Sequence, residues 1–142
     1  MAETIVMAAD HAGYILKNAL KDVLIEKGYE VLDLGTNGPD SVDYPDFGHA
    51  LANALEDGKA TKGVLVCGSG IGISIAANRH AGVRAALCSN GLMARLARQH
   101  NDANVLALGE RLTGIEVAKD CLHEFLTTEF EGGRHQNRVS KI

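Results

Sequence analysis

The chain contains few aromatic residues and carries little positive charge. Tryptophan is absent, aromatic residues make up 4% of the 142 residues, and the formal net charge is −4. Proteins bind nucleic acids through clusters of Lys and Arg, and they bind single strands by stacking bases on aromatic side chains. The composition therefore argues against a nucleic-acid surface, and we expect no nucleic-acid partner.

Long apolar runs and a disulfide framework are missing as well. No segment approaches the roughly 20 apolar residues that a membrane-spanning helix needs. Residues 1–4 lead directly into a predicted strand, which is not the pattern of a signal peptide. The three cysteines, at positions 67, 88 and 121, form an odd and widely spaced set that does not suit disulfide pairing. We therefore expect no membrane partner and a cytoplasmic location.

Strands and helices alternate along the chain. The apolar runs predict five strands, at 4–9, 31–34, 63–67, 83–87 and 104–108. The helical periodicity predicts one helix that ends at Gly28 and four more that cover about 47–57, 73–79, 91–100 and 114–129. Thr113 is in position to cap the last of these helices. Strands that alternate with helices form a parallel sheet covered on both faces. The sequence therefore predicts a single α/β domain over residues 1–142, a three-layer αβα Rossmann-like sandwich with five parallel strands in the order 2-1-3-4-5.

That strand order also predicts where a ligand binds. The order changes direction between strands one and three, and ligands of open α/β sheets bind in the crevice at such a point. Asp10 and His11 follow the first strand, and residues 67–72 follow the third. We therefore expect these side chains to flank one crevice.

The segment after the third strand carries the strongest functional signal. Cys67 ends the strand, glycines follow at 68, 70 and 72, and a helix comes next. Glycines let backbone N–H groups approach a bound anion, and the helix N-terminus adds partial positive charge. A cysteine beside such a loop is favoured as the thiolate, so the pattern predicts a catalytic base next to an oxyanion hole. The alternative is a tight turn with a buried structural cysteine.

Nucleotide and metal sites do not fit the motifs. The glycine loop lacks the Lys–Ser/Thr pair of a nucleotide P-loop, and its spacing and position differ from the dinucleotide fingerprint. The six histidines, at 11, 49, 80, 100, 123 and 135, show no paired spacing of the kind that metal ligands have. We therefore expect no nucleotide, no cofactor and no metal.

Polar residues near other strand and helix ends have two interpretations each. Asp10 and His11 can line the crevice, or they can simply cap the next helix. His100 ends the fourth predicted helix, where it can take part in chemistry or only complement the helix dipole. Arg111 follows the fifth strand, at the same sheet edge as the other loops.

The last segment, residues 131–142, is basic in an otherwise acidic protein. It contains three Lys or Arg residues against one acidic residue. Charged termini are often only solvated. If the segment is helical, Arg134 and Arg138 share one face, as a phosphate clamp requires.

Several ordered motifs together resemble one protein family. They are Asp10-His11-Ala12-Gly13, Asp43-Tyr44-Pro45, residues 67–72, Ile75-Ala76-Ala77-Asn78-Arg79, Arg98-Gln99-His100-Asn101 and Glu131-Gly132-Gly133-Arg134-His135. Nearly end to end, the chain resembles the ribose-5-phosphate isomerase B family, which also includes allose-6-phosphate and galactose-6-phosphate isomerases. The resemblance implies an aldose–ketose isomerase that interconverts ribose 5-phosphate and ribulose 5-phosphate through a cis-enediolate.

The resemblance also implies the catalytic roles. Cys67 is the base that moves a proton between C2 and C1, and Ser69 assists proton movement between the substrate oxygens. Backbone N–H groups of the loop stabilise the enediolate, with Gly68, Gly70, Ile71 and Gly72 as the binding residues. His100 opens the furanose ring, and Asp10 assists by binding sugar hydroxyls. Another branch of the family has a glutamate base at the position of Ile73, which leaves Cys67 as the candidate base here.

The substrate-binding residues follow from the same resemblance. The phosphate is held by four basic side chains: His11, Arg111, Arg134 and Arg138. Asn101 completes the sugar or oxyanion site, and Tyr44 belongs to the substrate-binding set.

The resemblance further implies a homodimer with shared active sites, or a tetramer. Residues from the two subunits then combine in each site. One subunit contributes Cys67, Asp10, His11, Arg134 and Arg138, and the other contributes His100, Asn101 and Arg111.

Other functions are compatible with parts of this pattern. The substrate can be allose 6-phosphate or galactose 6-phosphate, because a pocket discriminates one extra carbon by only ~1–3 kcal/mol. A non-catalytic sugar-phosphate-binding module would keep the arginines without the base. A thiol redox protein would explain Cys67, but no resolving cysteine lies nearby in the sequence.

Overall fold

The computed structural model describes residues 2–142, in which strands and helices alternate. Across these residues the strands are β1 Thr4–Ala9, β2 Glu30–Asp33, β3 Lys62–Cys67, β4 Ala85–Leu87 and β5 Val105–Gly109. The helices are α1 Tyr14–Glu26, α2 Tyr44–Glu56, α3 Ile71–Ala77, α4 Gly91–Asn101, α5 Ile115–Thr127 and α6 Arg134–Val139. Within the described part of the chain, no helix combines the length and apolar character that crossing a membrane requires.

The strands form one parallel sheet in the order β2-β1-β3-β5-β4. The predicted order 2-1-3-4-5 is therefore wrong in its last two strands, whereas the Rossmann-like α/β class is confirmed. Every residue of β5 is buried, as suits an inner strand, and the three residues of β4 are only half-buried. The Asn78 side chain donates to the Ala85 carbonyl (3.0 Å) and accepts from the Ala85 N–H (2.7 Å). These two bonds satisfy backbone groups of an edge strand, which would otherwise be open to pairing.

The strand register brings three strand ends together. Ala9 at the end of β1 pairs with Val66, and Cys67 at the end of β3 pairs with Gly109 of β5. Because parallel strands share one direction, the segments that follow β1, β3 and β5 leave the same edge of the sheet side by side.

Alternating side chains of the strands build two cores, one on each face. Ile5 and Met7 of β1 pack with residues of α1, α4 and α5, and Val6 and Ala8 pack with residues of α2 and α3. Burial of each such large side chain stabilises the fold by roughly 1.5–3 kcal/mol. The three-layer arrangement is therefore confirmed, and the crevice residues stand on a rigid sheet.

Three helix starts differ from the prediction, and the first difference is that α3 begins at Ile71 rather than near 73. α2 begins at Tyr44 rather than near 47, with Pro45 in its first turn, where proline's fixed φ is favourable. The prediction that Thr113 caps α5 is wrong, because the cap position is Gly114. Thr113 is buried instead, and its N–H donates to the Gly109 carbonyl at 2.9 Å.

A buried ion pair ties α1 to β2. Lys17 Nζ donates to Asp33 Oδ1 (2.7 Å), to Asp33 Oδ2 (2.8 Å) and to Asn37 Oδ1 (2.7 Å). Burial raises the pKa of the Asp33 carboxyl, but hydrogen bonds from Lys17, from the Gly35 N–H and from Lys21 outweigh it and leave that pKa below its usual value. The charged pair is therefore satisfied, and it fixes the start of the loop that follows β2.

Candidate functional site

A cavity of about 570 Å³ opens where the segments after β1, β3 and β5 leave the sheet. Its lining residues are Asp10, His11, Ala12, Tyr44, Cys67, Gly68, Ser69, Ile71, Gly72, Ile75, Arg111 and Leu112. The change of direction between β1 and β3 is the same in the predicted and observed strand orders. The cavity therefore lies where the sequence predicts a ligand-binding crevice.

Cys67 is the thiol placed for chemistry. It ends β3 at the cavity, and its Sγ accepts a hydrogen bond from the Gly70 N–H at 3.1 Å. An N–H donor stabilises negative charge that develops on the sulfur. Cys88 and Cys121 lie in the core on the other face of the sheet, where burial raises the pKa of Cys88 to about 12 and that of Cys121 to about 11.

The glycine loop positions the thiol and a neighbouring hydroxyl. Gly70 has a φ of 78°, in the left-handed region, and a side chain there would collide with Leu87 and the Leu108 backbone. The Ile71 N–H donates to Ser69 Oγ at 3.1 Å, so the hydroxyl hydrogen of Ser69 is left to donate elsewhere. The N–H groups of Gly70 and Ile71 are thus directed at Cys67 and Ser69.

Arg111 reaches the cavity across the glycine at position 68. Its Nη1 lies 3.2 Å from the point that a Cβ of residue 68 would occupy. The N–H groups of Glu110 and Arg111 donate to the carbonyls of Cys67 (2.9 Å) and Gly68 (3.0 Å). The pairing of β5 with β3 therefore continues past the strand ends and holds a guanidinium, with its rigid set of donors, at the cavity of Cys67.

Asp10 and His11 approach the cavity from the end of β1. Asp10 is buried, and its Oδ1 accepts the Ala12 N–H at 2.9 Å. His11 Nδ1 accepts the Val42 N–H at 3.1 Å. With Nδ1 as acceptor, the neutral imidazole carries its hydrogen on Nε2, which is then a donor. The loop before α2 therefore determines which nitrogen of His11 can donate to a ligand.

The rim of the cavity is apolar. The Tyr44 ring packs against Gly72, where any side chain would collide with it. Ile71, Ile75 and Leu112 are exposed by 49%, 61% and 70%. Large apolar side chains that are this exposed around a cavity mark an interaction surface.

Four of the predicted site residues lie away from this cavity. His100 and Asn101 are at the end of α4, and Arg134 and Arg138 are exposed on α6, which packs against α4. Because α6 is helical, its two arginines are four residues apart on one face, as the phosphate-clamp hypothesis requires. Within one chain, the predicted site is thus divided between two locations.

This division corrects the predicted grouping of residues by subunit. Arg111 was expected together with His100 and Asn101, but it lines the cavity of Cys67 because β5 pairs directly with β3. Arg134 and Arg138 were expected with Cys67, but the same chain places them on α6, against the helix that carries His100.

His100 stacks on a second histidine. The rings of His100 and His135 have centroids 4.4 Å apart and an interplanar angle of 15°, and His135 Nε2 lies 3.3 Å from Glu131 Oε1. Potential ligand atoms of these three side chains lie within 4.8 Å of one another, a grouping that the spacing of histidines in the sequence does not reveal. Nitrogen lone pairs of two nearly parallel rings lie in separate planes and do not converge on one ion. The geometry is therefore that of a stacked pair rather than a metal centre.

Three further residues shape the crevice, although the sequence interpretation assigns them no role in the site. A side chain at Gly13 or Gly109 would collide with the backbone at the end of β3 or just beyond it. Glu110 Oε1 accepts the Leu16 N–H at 2.6 Å. Gly109 ends β5 and Glu110 follows it directly, whereas Gly13 lies a few residues past the end of β1. These positions near strand ends were a signal that could have identified them.

The fold and the cavity together define a class of protein. A thiol, a hydroxyl, a buried carboxylate and a guanidinium meet at the switch point of a parallel α/β sheet, which is the arrangement of an enzyme acting on a small anionic molecule.

Comparisons with known proteins identify the family. The family model described as Ribose/Galactose Isomerase matches residues 5–142. Ribose-5-phosphate isomerase B of Escherichia coli is 48% identical over 138 residues, which cover 97% of this chain and 93% of that protein. The chain belongs to the ribose/galactose isomerase family.

Solved structures agree with this assignment. The Clostridium thermocellum ribose-5-phosphate isomerase B has a TM-score of 0.96 and 53% identity, with 97% of this chain and 93% of that chain covered. The Mycoplasma genitalium ribose-5-phosphate isomerase B with bound ribulose-5-phosphate has a TM-score of 0.94 and 41% identity, with 99% of this chain and 94% of that chain covered.

Proposed function

We propose that this chain is an aldose–ketose isomerase that interconverts ribose 5-phosphate and ribulose 5-phosphate. The observation that carries the proposal is the Cys67 thiol, which accepts an N–H bond and shares its cavity with Arg111. A base and an anion-binding group in one cavity suit proton transfer on a phosphorylated sugar. The 48% identity to the E. coli isomerase over nearly the whole chain supports the same substrate.

Cys67 acts as the base in this reaction. As thiolate, it takes the proton from C2 of the open-chain aldose, the electrons of the C–H bond form the enediolate, and the proton returns at C1. The Ser69 hydroxyl moves the proton between the two oxygens. The Gly70 and Ile71 N–H groups donate to Cys67 and Ser69, so we expect other N–H groups of the loop at 68–72 to stabilise the oxyanion. Loss of one such donor typically costs about 3–4 kcal/mol. In this scheme no metal or cofactor takes part, so activity should survive chelation.

The phosphate and the sugar ring need groups from two subunits. In one chain, His11 Nε2–H and Arg111 are available to the phosphate, and Asp10 is available to the sugar hydroxyls. We expect the partner's Arg134 and Arg138 to complete the phosphate site. The partner's His100 then opens the furanose ring, and the partner's Asn101 binds the sugar. The basic segment at 131–142 is thus part of the neighbouring site.

Surface chemistry supports a homodimer with shared sites. Leu92, Leu96 and His100 follow one another at intervals of four residues on α4, so they lie on one face, and both leucines are exposed. The apolar rim of the cavity, with Ile71 and Leu112, is exposed as well. Two-fold pairing of these surfaces would bury both and would bring each His100 to the other subunit's cavity. A tetramer would be a pair of such dimers.

A six-carbon sugar phosphate is the alternative substrate, because the matching family description also includes galactose isomerases. One extra hydroxymethylene changes affinity by only ~1–3 kcal/mol. A non-catalytic sugar-phosphate-binding module is a second alternative, which Cys67 at the cavity disfavours. We also propose a cytoplasmic location, because all three cysteines are unpaired.

The first experiment compares ribose 5-phosphate, allose 6-phosphate and galactose 6-phosphate as substrates of the wild-type protein. We expect the highest kcat/KM for ribose 5-phosphate. Cys67→Ala should lower kcat by about 10²–10⁴-fold while leaving phosphate binding intact, and the control Cys88→Ala should stay close to wild type. Binding without turnover of any of the three sugars by the wild-type protein would favour the binding module.

The second experiment tests the shared site by mixing Cys67→Ala and His100→Ala subunits. In a shared-site heterodimer, one site carries both lesions and the other carries neither. Random re-association makes about half of the dimers mixed, so about a quarter of all sites should recover activity on ribose 5-phosphate. Subunit exchange without recovery would show that Cys67 and His100 serve the same chain's site.

A further inference from the structure

Helix α1 begins with a cap position that has no side chain. Gly13 occupies it, and a Cβ at Gly13 would collide with the Val66 carbonyl of β3. The close approach of α1 to β3 therefore requires glycine. The first N–H groups of a helix have no partners within the helix and usually bind a capping side chain, which glycine cannot provide.

Glu110 supplies the missing acceptor from the other side of the crevice. Its Oε1 accepts the N–H of Leu16, the third residue of α1, at 2.6 Å. A carboxylate at this position also interacts favourably with the positive end of the helix dipole. The first turn, residues 14–16, contains no acidic residue that could do the same locally.

The backbone of Glu110 belongs to the site as well. Its N–H donates to the Cys67 carbonyl at 2.9 Å, and the next residue is Arg111, whose N–H donates to the Gly68 carbonyl at 3.0 Å. Asp10 and His11 lie directly before the helix that the Glu110 side chain caps. One residue thus joins the segments that follow β1, β3 and β5.

We propose that Glu110 is a positioning residue that holds Arg111 and the Asp10–His11 segment in register for the substrate phosphate. The proposal rests on the proposed function, which places the phosphate between His11 and Arg111. Binding groups on two different segments act together only if their separation is fixed, and misplacement by about 1 Å can cost as much as 100-fold in rate. The hydrogen bond to Leu16 provides that fixed separation.

The test compares Glu110→Ala and Glu110→Gln with the control Glu56→Ala. Glu56 also accepts a backbone N–H, that of Gly82 at 3.1 Å, but it ends α2, far along the helix from Tyr44 at the cavity. Glu110→Ala should raise KM for ribose 5-phosphate about tenfold, with a smaller change in kcat. Glu110→Gln keeps an oxygen acceptor for the Leu16 N–H and should restore KM to within about twofold of wild type. Glu56→Ala should lower the Tm without changing KM.

Three results would overturn the proposal. The first is a KM of Glu110→Ala equal to that of wild type. The second is a rise of KM in Glu56→Ala as large as that in Glu110→Ala, and the third is a KM of Glu110→Gln as high as that of Glu110→Ala. If Glu110→Ala does not fold, Glu110→Asp replaces it, because its side chain is one methylene shorter and does not reach the Leu16 N–H. Binding of inorganic phosphate, titrated calorimetrically on the same variants, should weaken in the same order. This second readout decides the role of Glu110 even if wild-type protein does not turn over ribose 5-phosphate, a result that would contradict only the proposed function.

Discussion

Arg111 crosses the backbone of Gly68, with Nη1 3.2 Å from the point that a Cβ of residue 68 would occupy. A Cβ at this position would press on the guanidinium above it, and φ here is not in the left-handed region. The substitution Gly68→Ala should displace Arg111 without straining the backbone.

We predict that Gly68→Ala raises KM for ribose 5-phosphate by roughly tenfold, the scale of one weakened charge-assisted hydrogen bond. The stability of the fold should change little, because the guanidinium is the mobile end of its side chain. Steady-state kinetics and thermal unfolding provide the two measurements. Gly38→Ala is the matched control, since a Cβ there meets nothing within 4 Å. Equal KM values for the two variants would show that a Cβ at residue 68 does not impair phosphate binding by Arg111.

Thiol reactivity should single out Cys67. Burial raises the pKa of Cys88 to about 12 and that of Cys121 to about 11, so both remain protonated and unreactive at pH 8. Iodoacetamide at pH 8 should therefore label Cys67 first, activity should fall in step with that label, and inorganic phosphate should slow both. Peptide mapping after partial labelling is the measurement. Labelling of Cys88 before Cys67, or full activity with Cys67 carbamidomethylated, would contradict the assignment.

The ion pair of Lys17 and Asp33 should contribute strongly to the free energy of unfolding, because it joins α1 to β2. Lys17→Met leaves the half-buried Asp33 carboxylate with only Lys21 and the Gly35 N–H as partners, which should lower the free energy of unfolding by about 1.5–3 kcal/mol. The exposed Lys59→Met is the control. Urea unfolding at pH 7 measures both, and a loss as small as that of the control would show that the pair is energetically neutral.

The same pair determines a pH dependence. The pKa of Asp33 is lowered in the folded state, so its contribution to stability is present above about pH 4, the ordinary carboxyl value. That contribution is lost as the pH falls through the folded-state pKa. Wild-type stability should therefore decline in acid more steeply than that of Asp33→Asn, whose side chain does not titrate.

Local patterns in the sequence were sufficient to predict the fold class and the crevice. Alternation of strands and helices predicts parallel layers, and the switch between β1 and β3 follows from handedness rules. The positions of β4 and β5 could not be predicted in the same way. Both runs are short and apolar, and the difference lies in what covers them: Asn78 satisfies the edge of β4, whereas β5 is buried between two strands.

The predicted assignment of Arg111 to the subunit of His100 is wrong because the predicted order of β4 and β5 is wrong. Arg111 follows β5, so its place at the Cys67 cavity depends on β5 lying next to β3. Cys67 itself was predicted from its own segment because strand, thiol and glycines are consecutive. The cap that Glu110 provides to Leu16 joins positions 94 residues apart, and no local pattern reveals it.

The most direct test of the central claim uses ribulose 5-phosphate in deuterium oxide. This ketose carries its phosphate on O5 and so cannot close a furanose ring, which separates proton transfer from ring opening. We predict that the wild-type protein and His100→Ala both exchange one of the two C1 protons of ribulose 5-phosphate with solvent, because the thiol that carries the removed proton exchanges with deuterium oxide. NMR follows this exchange, and Cys67→Ala should not show it. His100→Ala should still be slow on ribose 5-phosphate, which is cyclic. Exchange at the wild-type rate in Cys67→Ala would contradict the account, because a different group would then be the base.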